Sequence, residues 1–302
     1  MKNFIKNNIL SRDFILPLKK GYRFIFIYHD ISDPNSGHYS PSYSTTKIRF
    51  KEQISFLSDH FEFVDLDAIT QEEPFKQNVA SIIFDDGFKS IETEGVPFLK
   101  KMGIPFAVFL NRCAIENNRL WVNDLILNKA QFLKDYKLKD ILNNDSVDYK
   151  VFENDVSFNN GLSNMNLLEN TRHQIYLNKS DVLKLKENGA IIGNHGSFHA
   201  NLTMCDTEML EKEVVENKKY LESLINSKIT HYAYAFGKKE HYSLRAMEII
   251  KNSGHMFSYT SNPSAFKEKF NQYTIPRIGL TNESPAQIMF YINRQFMKSV
   301  NL

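Results

Sequence analysis

The sequence predicts an α/β fold: a distorted (β/α) barrel of about seven strands with a mixed helical insertion. Three observations predict it. Short apolar, β-rich runs alternate along the chain with segments of helical period, and such alternation implies a mainly parallel sheet. Roughly seven or eight of these units fit within 302 residues, which suits a closed barrel better than a flat sheet. One stretch, 112–179, breaks the rhythm: it lies between two strands, is rich in Asn, Asp and Lys, and is too long for a simple βα connection. The chain 1–302 is read as a single domain carrying that insertion.

The elements follow in order. Arg23 to Tyr28 (RFIFIY) is β-rich and reads as the first strand. Phe50, Ile54, Leu57 and Phe61 are spaced as one face of a helix. Phe61 to Val64 is a brief strand, and Val79 to Phe84 (VASIIF) a longer one. Ile91, Phe98, Leu99 and Met102 mark a helix that Gly103 ends, because glycine takes the left-handed conformation a helix terminus favours. Pro105 to Leu110 is a strand. Within the insertion, one or two helices are expected around Leu125 to Leu142. Ser180 to Asn188 is a helix stopped by Gly189, leading into a strand at Ala190 to Ile192.

Asp206 caps a helix traced by Leu210, Val214, Asn217, Leu221 and Leu224. His231 to Ala235 is a strand, Ser243 to Ser253 a helix closed by Gly254, and Met256 to Thr260 and Tyr273 to Leu280 are strands. The last helix has a strong start: Ser284 as cap, Pro285 at the first helical position, Gln287 completing a capping box. Its buried stripe is expected at Ile288, Tyr291 and Phe296.

Composition narrows the function classes. Apolar residues make up 42% and charged residues 24%, ordinary for a globular domain and incompatible with wholesale disorder. Lys plus Arg (37) nearly balances Asp plus Glu (35), so no strong field favours nucleic acid or a membrane surface. With only Cys113 and Cys205, a disulfide scaffold is excluded and two unpaired buried thiols are expected. The first thirty residues show no uninterrupted apolar core of a signal peptide, and no apolar run is long enough to span a bilayer. A cytoplasmic address, free or peripheral to the inner membrane, is the expectation. The Asn-x-Ser/Thr sites at Asn178, Asn201 and Asn282 then carry no information.

Three segments could carry chemistry. Asp85-Asp86-Gly87 follows the apolar run ending at Phe84. It reads either as a solvated turn or as two carboxylates turned into one pocket where the strand ends and its backbone curls. His195 and His199 stand at i and i+4, which on a helical turn puts both imidazoles on one face, either as a surface pair or as ligands to one cation. Tyr232 to Gly237 is a strand ending in an aromatic residue and glycine; alone, it is core. Together they say more. Asp86, His195 and His199 are two neutral nitrogens and a carboxylate, the donor set of a catalytic zinc with an open position for water. Asp85 is then free to act as a base. All fall just after predicted strands, at the rim where barrel active sites sit, and His29 joins the same rim.

These motifs resemble the polysaccharide deacetylases of carbohydrate esterase family 4. Phe84-Asp85-Asp86-Gly87 is similar to the first family motif, with Ile83 in place of its hydroxyl residue. His195 to His199 resembles the second, His-Ser/Thr-x-x-His, with Gly196 at the hydroxyl position. Tyr232 to Gly237 resembles a third motif in which Ala235 replaces proline. Tyr28-His29-Asp30-Ile31 and Pro276-Arg277-Ile278 resemble the opening and closing motifs of one branch. The likeness spans roughly residues 23 to 281, leaving 112–179 unmatched. It implies one divalent metal, zinc with cobalt or nickel as alternatives, held by Asp86, His195 and His199, with Asp85 as general base. The family's late Leu-x-His general acid has no counterpart here. His29 is the substitute, the other reading being that it orients a neighbour. Arg277 holds Asp85 as a carboxylate or forms an ordinary ion pair. Tyr234, Phe236 and Trp121 are expected as apolar walls for the acyl methyl or a sugar face, with core packing the alternative for Trp121.

The implied activity is removal of an N-acetyl group from an amino sugar that is free, nucleotide-linked, lipid-linked or oligomeric, within glycan or glycoconjugate biosynthesis. Two alternatives stand beside it: an N-deformylase or other amide hydrolase on the same fold, and a non-catalytic carbohydrate-binding homologue. The role of the insertion is open between a lid and an interface, and the oligomeric state is undetermined.

Overall fold

A computed structural model describes residues 20–136, 149–165 and 173–299. Ten strands occur among them: β1 Arg23–Tyr28, β2 Asp30–Ile31, β3 Ser44–Thr45, β4 Glu62–Phe63, β5 Val79–Phe84, β6 Phe106–Leu110, β7 Ile191–Asn194, β8 His231–Ala233, β9 Phe257–Tyr259 and β10 Ile278–Gly279. The main sheet runs β10-β1-β5-β6-β7-β8-β9, with β4 against the start of β5, and every pairing in it is parallel. Beyond β9, Tyr259 bridges Ile275, just upstream of β10. The two sheet edges therefore meet through that segment, giving the distorted seven-stranded barrel.

Strand alternation sorts the core into two layers. Phe24, Phe26, Tyr28, Ile82, Phe84, Val108 and Leu110 face the surrounding helices. Ile25, Ile83, Ala107, Phe109, Ala233 and Tyr259 fill the interior. At the strand starts, the buried Arg23 guanidinium donates to the carbonyls of Ile69 (2.8 Å), Gln71 and Glu73 (2.7 Å), tying a loop across that end. The opposite end, where the strands finish, is left for the site.

Several expected elements differ in extent. The Tyr273 to Leu280 strand reduces to the Ile275 bridge and β10, because Pro276 has no N–H for the ladder. The Ala190 to Ile192 strand shifts to Ile191–Asn194. The helix starting at Thr207 is interrupted by a π-helical turn, Glu211–Glu216, before continuing over Asn217–Ile225. In the last helix, Pro285–Ser299, Ile288 and Ile292 are buried but Tyr291 is exposed, so the inward face is rotated from the expected stripe; Phe296's side chain lies outside the described residues. Its capping box forms as expected: Ser284 N–H donates to Gln287 Oε1 (2.8 Å) and Gln287 N–H to Ser284 Oγ (3.3 Å).

The 112–179 stretch holds short helices at Arg112–Asn117, Trp121–Leu127, Lys129–Asp135, Tyr149–Glu153 and Val156–Gly161. Leu142, where a helix was expected to end, lies outside the described residues. Cys113 and Cys205 are buried and unpaired. No helix among the described residues is long and apolar enough to cross a membrane.

Candidate active site

A cavity of about 370 Å³ opens where the strands end. It brings together His29 after β1, Asp85 and Asp86 after β5, His195 and His199 after β7, Tyr234 and Phe236 after β8, and Arg277 before β10. The insertion adds Val122, Asn123, Ile126 and Tyr149 as one wall.

The two aspartates solve a parity problem. Asp85 continues β5, its N–H donating to Tyr28 O (3.0 Å), and it keeps the inward parity of Ile83. Asp86 would then point outward. It takes a left-handed backbone instead (φ 67°), as does Gly87 (φ 72°), and the turn swings its carboxylate into the same cavity. A Cβ on Gly87 would lie 2.7 Å from Leu110 Cδ2, so this turn needs glycine.

His195 and His199 converge by a different route from the one their spacing suggests. Residues 195–200 form no helical turn; they make an irregular loop in which Gly196 (φ 86°) and His199 (φ 59°) are left-handed. Loop hydrogen bonds, rather than helical periodicity, bring the rings together, with centroids 5.0 Å apart. Asn111 Nδ2 donates to the carbonyls of His195 (2.7 Å) and Gly196 (3.0 Å), and Asn194 Oδ1 accepts from Gly196 N–H (2.9 Å). Asn217 Nδ2 in turn donates to Asn194 Oδ1 (2.7 Å).

Ligand atoms from Asp86, His195 and His199 lie within 4.8 Å of one another, and all three residues are buried. Asp86 Oδ1 is 3.4 Å from His195 Nε2 and 3.6 Å from His199 Nε2, and it has no hydrogen-bond partner among the described residues. An orphaned buried carboxylate oxygen is costly. A tetrahedral zinc with bonds near 2.05 Å has ligand–ligand edges of about 3.4 Å, close to these separations. His195 Nδ1 lies 2.9 Å from Ala233 O, a bond that places the proton on Nδ1 and leaves Nε2 free to ligate. Asp86 Oδ2 faces Asn123 Nδ2 at 3.5 Å, and the same amide donates to Tyr176 Oη (2.9 Å). The residues present fit a divalent cation.

Asp85 stands beside this set, its Oδ2 3.8 Å from His195 Nε2, and is anchored from its other side. Its Oδ1 accepts from Arg277 Nη1 at 2.9 Å, while Arg277 Nε donates to Thr260 O (3.0 Å) and the guanidinium covers the Phe109 ring. Both side chains of the pair are almost fully buried. Burial alone would raise the Asp85 pKa; the charges of Arg277, His195 and His29 outweigh it and hold the carboxyl below its ordinary range. Burial likewise opposes ionisation of Asp86, but the close imidazole of His195 and the nearby His199 and His29 keep it well below the usual range. For His199, burial dominates and pushes the imidazole down to about 4, a neutral ligand form. For His195, burial is outweighed by Asp85 and Asp86, and its pKa rises.

The remaining expected residues divide. Tyr234 lines the cavity, its hydroxyl tied to Tyr273 O (3.0 Å). Phe236 lines it too, left-handed (φ 58°), with its ring edge-on to His199 at 4.6 Å. Trp121 does not line the cavity. It is buried behind the wall, where Nε1–H donates to His199 O (3.3 Å) and the ring packs on Phe236 and Phe158, because a side chain that large fills the gap between insertion and loop. Sequence reasoning missed Asn111, Asn123, Asn194 and Asn217; each acts through a contact distant in the chain, which one sequence does not signal. Gly193 was also missed: a Cβ there would lie 2.4 Å from the Phe109 ring.

The fold and site together are a parallel barrel whose strand ends carry a buried Asp-His-His set with a second aspartate beside it. The polysaccharide deacetylase family model matches residues 72–257. The chain belongs to the polysaccharide deacetylase family. Among solved structures it is similar in fold to a Streptococcus pyogenes deacetylase, PplD, in complex with acetate (14% identity, TM-score 0.63, covering 91% of this chain and 99% of that one). It is also similar to IcaB from Ammonifex degensii (15%, 0.60, 90% and 97%) and to a de-N-acetylase from Aggregatibacter actinomycetemcomitans (13%, 0.60, 90% and 100%). No curated protein sequence matches the chain.

Proposed function

We propose that this protein is a metal-dependent N-deacetylase acting on an amino sugar in glycan or glycoconjugate biosynthesis. The observation that carries the reading is the pairing of an orphaned buried Asp86 oxygen, facing two imidazoles, with a neighbouring Asp85 whose Oδ1 is engaged by Arg277. The names of the structural neighbours, deacetylase and de-N-acetylase, support it.

Asp86, His195 and His199 would hold one divalent cation, most simply zinc. When bound, such an ion polarises an amide carbonyl and lowers the pKa of water. Asp85, kept ionised by Arg277, accepts a proton from the attacking water as the C–O bond forms. The Phe236 N–H, on its left-handed turn, donates to the developing oxyanion. His29, on the same rim, donates a proton to the amine nitrogen as the C–N bond breaks, in the role of the missing Leu-x-His acid. Acetate and a free amino sugar leave. Tyr234 and Phe236 form apolar walls for the acyl methyl.

Release of acetate from N-acetylated mono-, nucleotide-, lipid-linked and oligomeric sugars, screened with zinc, cobalt and nickel, tests the reading. Acetate release dependent on added metal is expected. Formate release from N-formyl analogues alone would replace it with a deformylase. Sugar binding without turnover under every metal would replace it with a carbohydrate-binding role.

A further inference from the structure

The π-helical turn Glu211–Glu216 lies directly against the loop that carries His195 and His199; Lys212 and Glu213 bond to that loop and Val214 to Asn194 at the end of β7. Glu213, fully buried, accepts Phe198 N–H at 2.6 Å through Oε1 and Ala200 N–H at 3.2 Å through Oε2. The Lys212 carbonyl accepts Ser197 Oγ–H at 2.6 Å, and the Val214 carbonyl accepts Asn194 Nδ2 at 2.8 Å. A regular α-helix commits its carbonyls to the N–H four residues on. The π turn shifts that ladder; the Val214 carbonyl takes the Asn217 N–H as well as Asn194 Nδ2. The same turn aims Glu213 inward. Gly196 completes the fit: a Cβ there would stand 2.2 Å from Glu213 Oε2, so the carboxylate occupies the space a hydroxyl side chain would fill.

We infer that this π turn is the template for the metal-ligand loop, with Glu213 as its positioning residue and Gly196 as the notch that admits it. The inference rests on the metal reading above. His199 sits between the two N–H groups that Glu213 binds, so loss of the carboxylate frees the backbone on both sides of that ligand.

The test is cobalt titration followed by visible absorption, with zinc competition, on the full chain. Outer contacts of this kind typically change metal affinity by about 10- to 100-fold. Glu213→Ala is expected to weaken cobalt binding by at least about tenfold and to alter the absorption bands, while the metal-free protein keeps its circular dichroism and cooperative melt. Ser197→Ala, which removes the bond to Lys212 O, should weaken binding several-fold and serves if Glu213→Ala does not fold. Gly196→Ser should weaken binding in the wild-type background and less so beside Glu213→Ala, where the notch is vacant. Cobalt affinity and bands identical to wild type in both Glu213→Ala and Ser197→Ala would overturn the template role alone. A wild-type protein that takes up no divalent ion would overturn the metal reading and this inference with it.

Discussion

Arg277→Met removes the cation beneath Asp85 while preserving much of the side chain's length, and the consequence can be sized. The pair meets at 2.9 Å with both side chains almost wholly out of water. An effective dielectric near 20 gives an attraction of roughly 6 kcal/mol at that distance. Desolvation offsets part of it, and breaking one side of a buried pair costs about 3–5 kcal/mol, because the surviving charge is stranded. The second bond to Thr260 O and the stacking on Phe109 are lost as well. Urea unfolding of the metal-free protein, kept in chelator so that no ion contributes, should show a loss of about 3–5 kcal/mol. Asp85→Asn removes the stranded charge, so the double variant should be more stable than the sum of single effects by about 2–3 kcal/mol. A single-variant cost below about 1 kcal/mol, the range of exposed pairs, or strict additivity in the cycle, would refute the idea that Arg277 is what keeps Asp85 ionised.

Other expectations follow from the same geometry. Asp86→Asn should abolish stoichiometric metal uptake, whereas Asp85→Asn should retain the metal and lose about 10²- to 10⁴-fold in kcat; plasma emission analysis and acetate release separate the two. His29→Ala should keep the metal and lower kcat by a similar factor on unactivated amides, with a smaller loss on substrates whose leaving amine needs no proton. Burial holds His255 down to about 3, against about 6.5 in an unfolded chain. Between those values the unfolded state binds a proton that the folded state refuses, so this group's contribution to stability falls as pH drops, by up to about 1.4 kcal/mol per unit; from pH 7.5 to 5.5 the urea midpoint of the wild type should drop relative to that of His255→Gln. Gly193→Ala should cost about 1–3 kcal/mol through overpacking against Phe109, measured by urea melts.

Most strands were legible because each buried run is continuous: Arg23 to Tyr28 and Val79 to Phe84 are buried on both faces and, Arg23 and Ser81 apart, apolar, as suits barrel strands between two core layers. β2 and β3 were not, since two residues leave no pattern. The grouping of Asp86, His195 and His199 was legible through residue types, but the route that brings them together was not. The i, i+4 spacing suggested a helical turn, and the structure uses left-handed residues at Gly196 and His199 instead. That Asp85 and Asp86 could share a pocket was legible as a curl at the strand end, but its form, the positive φ of Asp86, was not. Trp121 as a wall residue failed because its position depends on how the insertion folds back, which local pattern does not encode. Glu213 reaches the loop across 13 and 15 residues, Asn217 reaches Asn194 across 23, and Asn123 and Asn111 reach their partners across 37 and 84, separations at which single-sequence periodicity is silent.

Zinc X-ray absorption on stoichiometrically loaded protein tests the central idea most directly. Two imidazole nitrogens and one carboxylate oxygen at about 2.0–2.2 Å are expected, unchanged in Asp85→Asn and lost in Asp86→Asn. A shell lacking imidazole, or one in which Asp85→Asn removes a ligand while Asp86→Asn does not, would contradict it.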